Sequence, residues 1–162
     1  MKFCKVRPVK SPTRGTDKSA GIDFFVPGSF RSTTVPPHTD ILIPSGIKAA
    51  IPEGYMLIGA DKSGVVTSQH ARIQACMSPK KDAFNSPVII GAKIIDEDYQ
   101  GEIHIHLINT GDKPVNIEPG MKIAQFILVP VSYEIPEEVS EGELFGETTK
   151  RGQGGFGSTN GY

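Results

Sequence analysis

GIKAAIPEGYMLIGA, residues 46–60, holds two short apolar-rich runs, 46–51 and 55–60, on either side of a turn. In Ile51-Pro52-Glu53-Gly54 the proline presets φ at the second turn position and the glycine ends the turn, as in type I. The same pattern repeats outward in both directions. Runs at 22–26, 40–44, 88–95, 102–109, 114–117 and 123–130 are separated by polar or Pro/Gly breaks such as Asn109-Thr110-Gly111-Asp112. In Glu118-Pro119-Gly120 the glycine follows proline directly, which suits the φ > 0 position of a type II turn. The aliphatic vocabulary agrees, with 18 Ile and 11 Val against 5 Leu. Branching at Cβ stiffens a side chain and favours pleated surfaces over helices. With 18 Gly and 13 Pro, long helices have little room. Many short strands at this spacing predict an all-β protein, a sandwich or jelly-roll-like barrel, with at most one short helix, placed at 68–75.

The chain has 162 residues and 17.4 kDa, enough for one domain whose core needs no metal or disulfide staple. Lys and Arg total 17 against 18 Asp and Glu, a net charge of −1. That balance argues against stable nucleic-acid binding or a membrane-surface role, both of which rest on excess positive charge. The longest nearly apolar stretch, 123–131, is about half a bilayer span and contains Gln125 and Pro130, so no membrane helix is expected. The opening MKFCKVRPVK is charged throughout and lacks the apolar core of a secretory signal. Cys4 and Cys76 suit neither a disulfide framework nor a clustered zinc site. A protein that is not secreted and resides in a reducing compartment, the cytoplasm or the nucleus, is the expectation, and a Cys4–Cys76 bridge is disfavoured.

The last quarter changes character. Residues 136–147 are acidic, with Glu137, Glu138, Glu141, Glu143 and Glu147, and residues 150–162 are Gly-rich. Such a segment cannot bury enough apolar surface to offset its ordering entropy. The expected organisation is therefore a β domain over 1–136 and a flexible arm over 137–162. That arm still carries an aromatic face at Phe156, a guanidinium at Arg151, hydroxyls at Ser158 and Thr159, and unhindered backbone N–H groups. A ligand made of a base and phosphates requires that set.

Two motif matches fail on context. Residues 152–157 fit G-x-G-x-x-G, but a dinucleotide site needs a preceding strand, a following helix and a later acid. Ser78-Pro79-Lys80-Lys81 fits S-x-x-K without any partner motif. His104 and His106 project from one face of a strand, as a metal pair or as a polar face at a subunit contact. Asp96, Glu97, Asp98 and Glu102 crowd around Tyr99, either as a solvated turn or with Asp96 positioning a water or facing Mg²⁺. Asp23 sits inside an apolar strand, where a buried charge needs a partner or a function.

These stretches, taken in order, resemble the trimeric dUTPase family (dUTP nucleotidohydrolases) through nearly the whole chain. Ala20-Gly21-Ile22-Asp23 resembles the first family motif, and Asp61-Lys62-Ser63-Gly64 sits where the second, usually Pro-Arg-Ser-Gly, belongs. Residues 91–101, with Ile95-Asp96-Glu97-Asp98-Tyr99-Gln100-Gly101, resemble the third. Lys122-Ile123-Ala124-Gln125-Phe126 resembles the fourth, and Arg151-Gly152-Gln153-Gly154-Gly155-Phe156-Gly157-Ser158-Thr159 the fifth.

The resemblance implies a jelly-roll homotrimer with active sites shared between subunits, the Gly-rich arm closing over nucleotide bound elsewhere. The implied reaction is Mg²⁺-dependent hydrolysis of dUTP to dUMP and pyrophosphate, which keeps uracil out of DNA and supplies dUMP for dTMP synthesis. In that scheme Asp96 activates the water, while Asp23 and Gln125 hold metal-bound waters with no direct protein ligand to the metal. Lys62, Ser63 and Gly64 belong to the phosphate site, where Ser63 and Gln125 contact phosphates. Backbone groups around Ile90, Gly91 and Ile94 read the uracil edge, and Tyr99 packs under the deoxyribose. Phe156 stacks on uracil, and Arg151, Gly157, Ser158 and Thr159 complete the closing arm.

Three residues depart from the family pattern. Lys62 replaces an arginine and loses its bidentate fork. Asp61 replaces a proline, and Lys93 stands where many members have glycine. Residues 67–87 read as an insertion that forms a helix and loop near the site. A dCTP deaminase of the same superfamily and a catalytically silent dUTPase-like interaction module are the rival readings.

Overall fold

The computed structural model describes residues 1–63 and 84–154. Twelve strands and one short helix cover them: β1 (Lys2–Lys5), β2 (Thr13–Arg14), β3 (Ile22–Phe25), β4 (Thr33–Val35), β5 (Asp40–Pro44), β6 (Ile47–Ala50), β7 (Tyr55–Ala60), β8 (Val88–Ile90), β9 (Ile94–Ile95), β10 (His104–Asn109), β11 (Val115–Ile117), β12 (Lys122–Pro130) and α1 (Glu141–Leu144). The all-β expectation holds. The helix placed at 68–75 lies outside the described residues, as does Cys76; Cys4 is an exposed free thiol. No helix among the described residues is long and apolar enough to cross a membrane.

Four antiparallel groups make up the domain: β2-β3-β12-β7-β9, β5-β10-β8, β1-β6 and β11-β4. Alternation explains why these residues adopt strands. Along β10, Ile105, Leu107 and Asn109 are buried, while His104, His106 and Ile108 are not. Branched side chains from the inner faces meet in one core that includes Ile43, Leu57, Ile105, Leu107, Ile117 and Phe126. Phe24 and Phe126 anchor it, with ring centroids 4.7 Å apart and tilted by 57°. Each fully buried aliphatic or aromatic side chain stabilises the fold by about 1.5–3 kcal/mol.

Two turn expectations met different outcomes. At Glu118–Met121 the amide of Met121 donates to the carbonyl of Glu118 at 3.3 Å, and Gly120 has φ +80°, as the type II reading requires. The turn at residues 51–54 is displaced by one residue. There the amide of Tyr55 donates to Pro52 O at 3.2 Å, so Gly54 is the third residue and adopts φ +77°. A positive φ at that position needs the missing Cβ, so glycine's placement, not proline's, sets the turn.

The run at 88–95 is not one strand. It breaks into β8 and β9 around Gly91-Ala92-Lys93, because Gly59 N–H takes the Lys93 carbonyl at 2.6 Å and β9 joins β7 instead. Strands β1, β2 and β4 carry no buried alternation to read: all four residues of β1 are exposed.

Met1–Ser132 form one compact unit and Tyr133–Tyr162 a second. Within the second, the acidic stretch contains α1. The amide and hydroxyl of Ser140 donate to the Glu143 carboxylate at 3.2 and 2.6 Å. These bonds hold the Glu143 carboxyl below its ordinary value.

Candidate active site

Asp96 follows β9 directly and is exposed. It lines a groove of about 220 Å³ with Tyr99, Ile94, Leu42 and His104. Tyr99 is fixed at the rim: its phenol donates to Glu102 O at 2.9 Å and its amide to Asp96 O at 3.2 Å. Its ring lies over Gly101, where a Cβ would collide with the phenol oxygen.

Glu102 supports this arrangement from behind. Its carbonyl also lies 2.9 Å from His104 Nδ1, and its carboxylate accepts from Arg7 Nε at 2.8 Å and Gly46 N–H at 2.7 Å. Burial alone would raise the Glu102 carboxyl, but Arg7 and the Gly46 amide together hold it below its ordinary value. Glu97 points elsewhere, accepting Gly54 N–H at 2.6 Å. The crowded acids are thus divided, with Asp96 facing the groove.

The hairpin before Asp96 is tied down through its backbone. Gly91 N–H donates to His106 O at 2.8 Å, and Ala92 N–H donates to His106 Nδ1 at 3.0 Å. His106 Nε2 lies 2.9 Å from Asp40 Oδ2, so a neutral ring with its proton on Nε2 satisfies both contacts. Both ring nitrogens of His106 are engaged in these contacts. Ile90 is buried and its N–H donates to Asp61 Oδ1 at 2.6 Å; Ile94 is exposed in the groove.

A second cluster lies along the larger sheet. Gln125 pairs with Asp23 on one side and Ala60 on the other, so three strands place these residues in one row. Asp23 is buried, with Lys62 Nζ 3.3 Å from Oδ1 and Lys122 Nζ 2.9 Å from Oδ2. The buried acid therefore has two ammonium partners. Gln125 Nε2 donates to Asp61 O at 3.0 Å, and its Oε1 packs where Gly21 lacks a Cβ. Ser63 is exposed beside Lys62.

Within one chain Asp61 touches the start of the hairpin, while Asp96 lies toward the other end of β7. Ile95, the residue before Asp96, pairs with Leu57, and Asp61 lies four positions further along that strand and its continuation. At ~3.3 Å per residue this puts the Asp61 backbone about 13 Å from the Ile95 position along the strand. In the second unit, Arg151 Nε donates to Gly154 O at 2.8 Å in a tight turn. Gly64, Phe156, Gly157, Ser158 and Thr159 lie outside the described residues. Sequence reasoning missed Glu102, Asp40 and His106 as supports. Only the spacing of His104 and His106 pointed toward that face.

An antiparallel jelly-roll-like β domain with an acid-and-tyrosine groove at one hairpin and a lysine-rich row elsewhere defines the class of protein. The dUTPase family model matches residues 62–160. A deoxyuridine 5′-triphosphate nucleotidohydrolase of Dictyoglomus turgidum is 34% identical over 91% of this chain and 88% of its own, and that of Mus musculus is 32% identical over 92% and 77%. The chain belongs to the dUTPase family. The structure of Staphylococcus bacteriophage 80alpha dUTPase with dUpNHpp shares the fold, with a TM-score of 0.75 and 22% identity over 98% of this chain and 96% of that one.

Proposed function

We infer that the protein hydrolyses dUTP to dUMP and pyrophosphate, acting as a dUTP diphosphatase that keeps uracil out of DNA and supplies dUMP for dTMP synthesis. The observation that carries this reading is the exposed Asp96 beside a fixed Tyr99, in a chain of the dUTPase family. Asp96 accepts a proton from a water as the water oxygen bonds to the α-phosphorus. The bond from that phosphorus to the bridging oxygen breaks, and pyrophosphate departs with the electron pair. Tyr99, with its phenol directed to Glu102, presents a ring against the sugar and leaves no space for a 2′-hydroxyl. Backbone of the hairpin from Ile90 through Gly91 to Ile94 reads the uracil edge.

Lys62, Ser63 and Gly64 take the phosphates, with the Lys62 and Lys122 ammonium groups at Asp23 supplying cationic character for a polyanion. Arg151, Phe156, Gly157, Ser158 and Thr159 close over the nucleotide and exclude water. The donor chemistry fits Mg²⁺ brought in on the phosphates. Gln125 spends its Nε2 on Asp61, which leaves Oε1 as an acceptor, and each Asp23 oxygen keeps a second lone pair for a metal-bound water. When bound, Mg²⁺ supplies charge neutralisation on the phosphate oxygens.

The active site is completed by other subunits of a homotrimer. Two features support this. About 13 Å of strand separates Ile95, next to Asp96, from Asp61, next to the lysine row, so a second subunit can bring the two sets to one α-phosphate. The groove at Asp96, about 220 Å³, is also smaller than the roughly 300–1,000 Å³ of complete ligand pockets. Replacing Asp96 with Asn tests the assignment. Turnover should fall by orders of magnitude while nucleotide still binds; an unchanged rate removes Asp96 from the reaction.

A further inference from the structure

Asp61 stands at the seam between the lysine row and the nucleoside hairpin, and three of its atoms are engaged. Oδ1 accepts Ile90 N–H at 2.6 Å, Oδ2 lies 3.8 Å from Lys93 Nζ, and the backbone carbonyl accepts Gln125 Nε2 at 3.0 Å. The residue before it, Ala60, ends β7 opposite Gln125, so the row containing Asp23 and Gln125 fixes the Asp61 backbone. At the other end of its side chain, Ile90 closes β8 and Lys93 leads into β9. The carboxylate therefore spans the break that divides the run at 88–95.

Asp61 and Lys93 are two of the residues that depart from the family pattern, and they face each other. At 3.8 Å between groups that are one-third and two-fifths exposed, the ion pair itself contributes little. The short bond from a backbone amide to a carboxylate is the stronger contact, because a charged acceptor roughly doubles the strength of a neutral hydrogen bond.

We propose that Asp61 is a positioning residue that sets the mouth of the nucleoside hairpin by holding the Ile90 amide, with Lys93 screening its charge. The proposal rests on the reading that this hairpin binds the uracil of dUTP. Through the carbonyl bond to Gln125 and the carboxylate bond to Ile90, one residue ties together the parts of the chain that serve phosphate and base. It acts on binding, because the hairpin's contacts to the base are the same in the ground and transition states.

The experiment compares Asp61→Ala with Asp61→Asn in the full-length protein. Two readouts are used: hydrogen exchange of the Ile90 amide without nucleotide, and KM and kcat for dUTP with Mg²⁺. Asp61→Ala should accelerate Ile90 exchange and raise KM about tenfold with kcat nearly unchanged, as loss of one charge-assisted bond implies. Asp61→Asn keeps an oxygen for the amide but makes it a neutral acceptor, so it should fall between Asp61→Ala and the unmodified protein in both readouts. If the two variants shift alike, the carboxylate acts by charge and the positioning role is wrong. An unchanged Ile90 amide in Asp61→Ala also overturns it. Should Asp61→Ala fail to fold, scalar coupling across the Ile90 amide to the Asp61 carboxylate carbon in the unmodified protein decides the contact directly. If the unmodified protein does not hydrolyse dUTP, the enzymatic reading fails, while the exchange and coupling measurements still judge the contact.

Discussion

His106 accepts the backbone amide of Ala92 on its Nδ1 at 3.0 Å, which places a strand side chain under the turn that leads to Asp96. Asp40, 2.9 Å from Nε2, keeps the ring in that orientation. The pair is a spacer as well as a bond, because Gly91 packs its bare Cα side against the same ring. Removing the ring with His106→Ala should leave the Ala92 amide open to water and loosen the turn, at a cost of about 1 kcal/mol or a several-fold rise in KM for dUTP. Amide exchange at Ala92 and steady-state kinetics check both effects together.

Gly91→Ala tests the same contact from the other side. A Cβ there meets the His106 ring, which is held by Ala92 and Asp40 and cannot swing away cheaply. The expected loss is about 1–3 kcal/mol of stability, as for other overpacking changes. In a His106→Ala background the same change should cost much less, and paired denaturant titrations measure the difference.

Glu102 predicts a pH dependence. Its carboxyl is held below the ordinary value in the folded protein, so the unfolded chain binds the proton more readily. The stabilisation is fully present above the unfolded carboxylate value, about pH 4.3, and is lost as pH falls through the lower folded value. Unfolding midpoints measured from pH 7 down to 3 should decline less steeply for Glu102→Gln than for the unmodified protein. Because the Glu102 carbonyl also anchors Tyr99, its retention in that variant should preserve the groove.

Much of this architecture was legible beforehand, for a physical reason. Strands β5 and β7 begin and end where the runs at 40–44 and 55–60 do, since turn chemistry bounds them and their faces alternate. Strand β1 has no buried face on this chain, so periodicity could not reveal it. Asp23 was recognisable as an acid that needed partners, yet Lys62 and Lys122 reach it only through the pairing of distant strands. The roles of His106 and Asp61 were hidden for the same cause. Their contacts are to backbone amides of another segment, and an amide leaves no mark in the side-chain sequence.

Deletion of residues 150–162 separates arm from core. The buried cluster of the β domain and the side chains packed on it come from residues 9–128, so that domain should remain folded and assembled. Turnover should drop by two orders of magnitude or so, the scale of losing preorganised donors around a charged transition state. Size-exclusion chromatography beside a pyrophosphate assay checks both halves.

The central claim is that Asp96, Tyr99 and the lysine row together hydrolyse dUTP. Pyrophosphate release with Mg²⁺, measured on dUTP beside dTTP, dCTP and UTP, tests it most directly. The account predicts release from dUTP, with dTTP, dCTP and UTP left essentially untouched. Folded protein that releases pyrophosphate from no nucleotide, or that frees ammonia from dCTP, would contradict it.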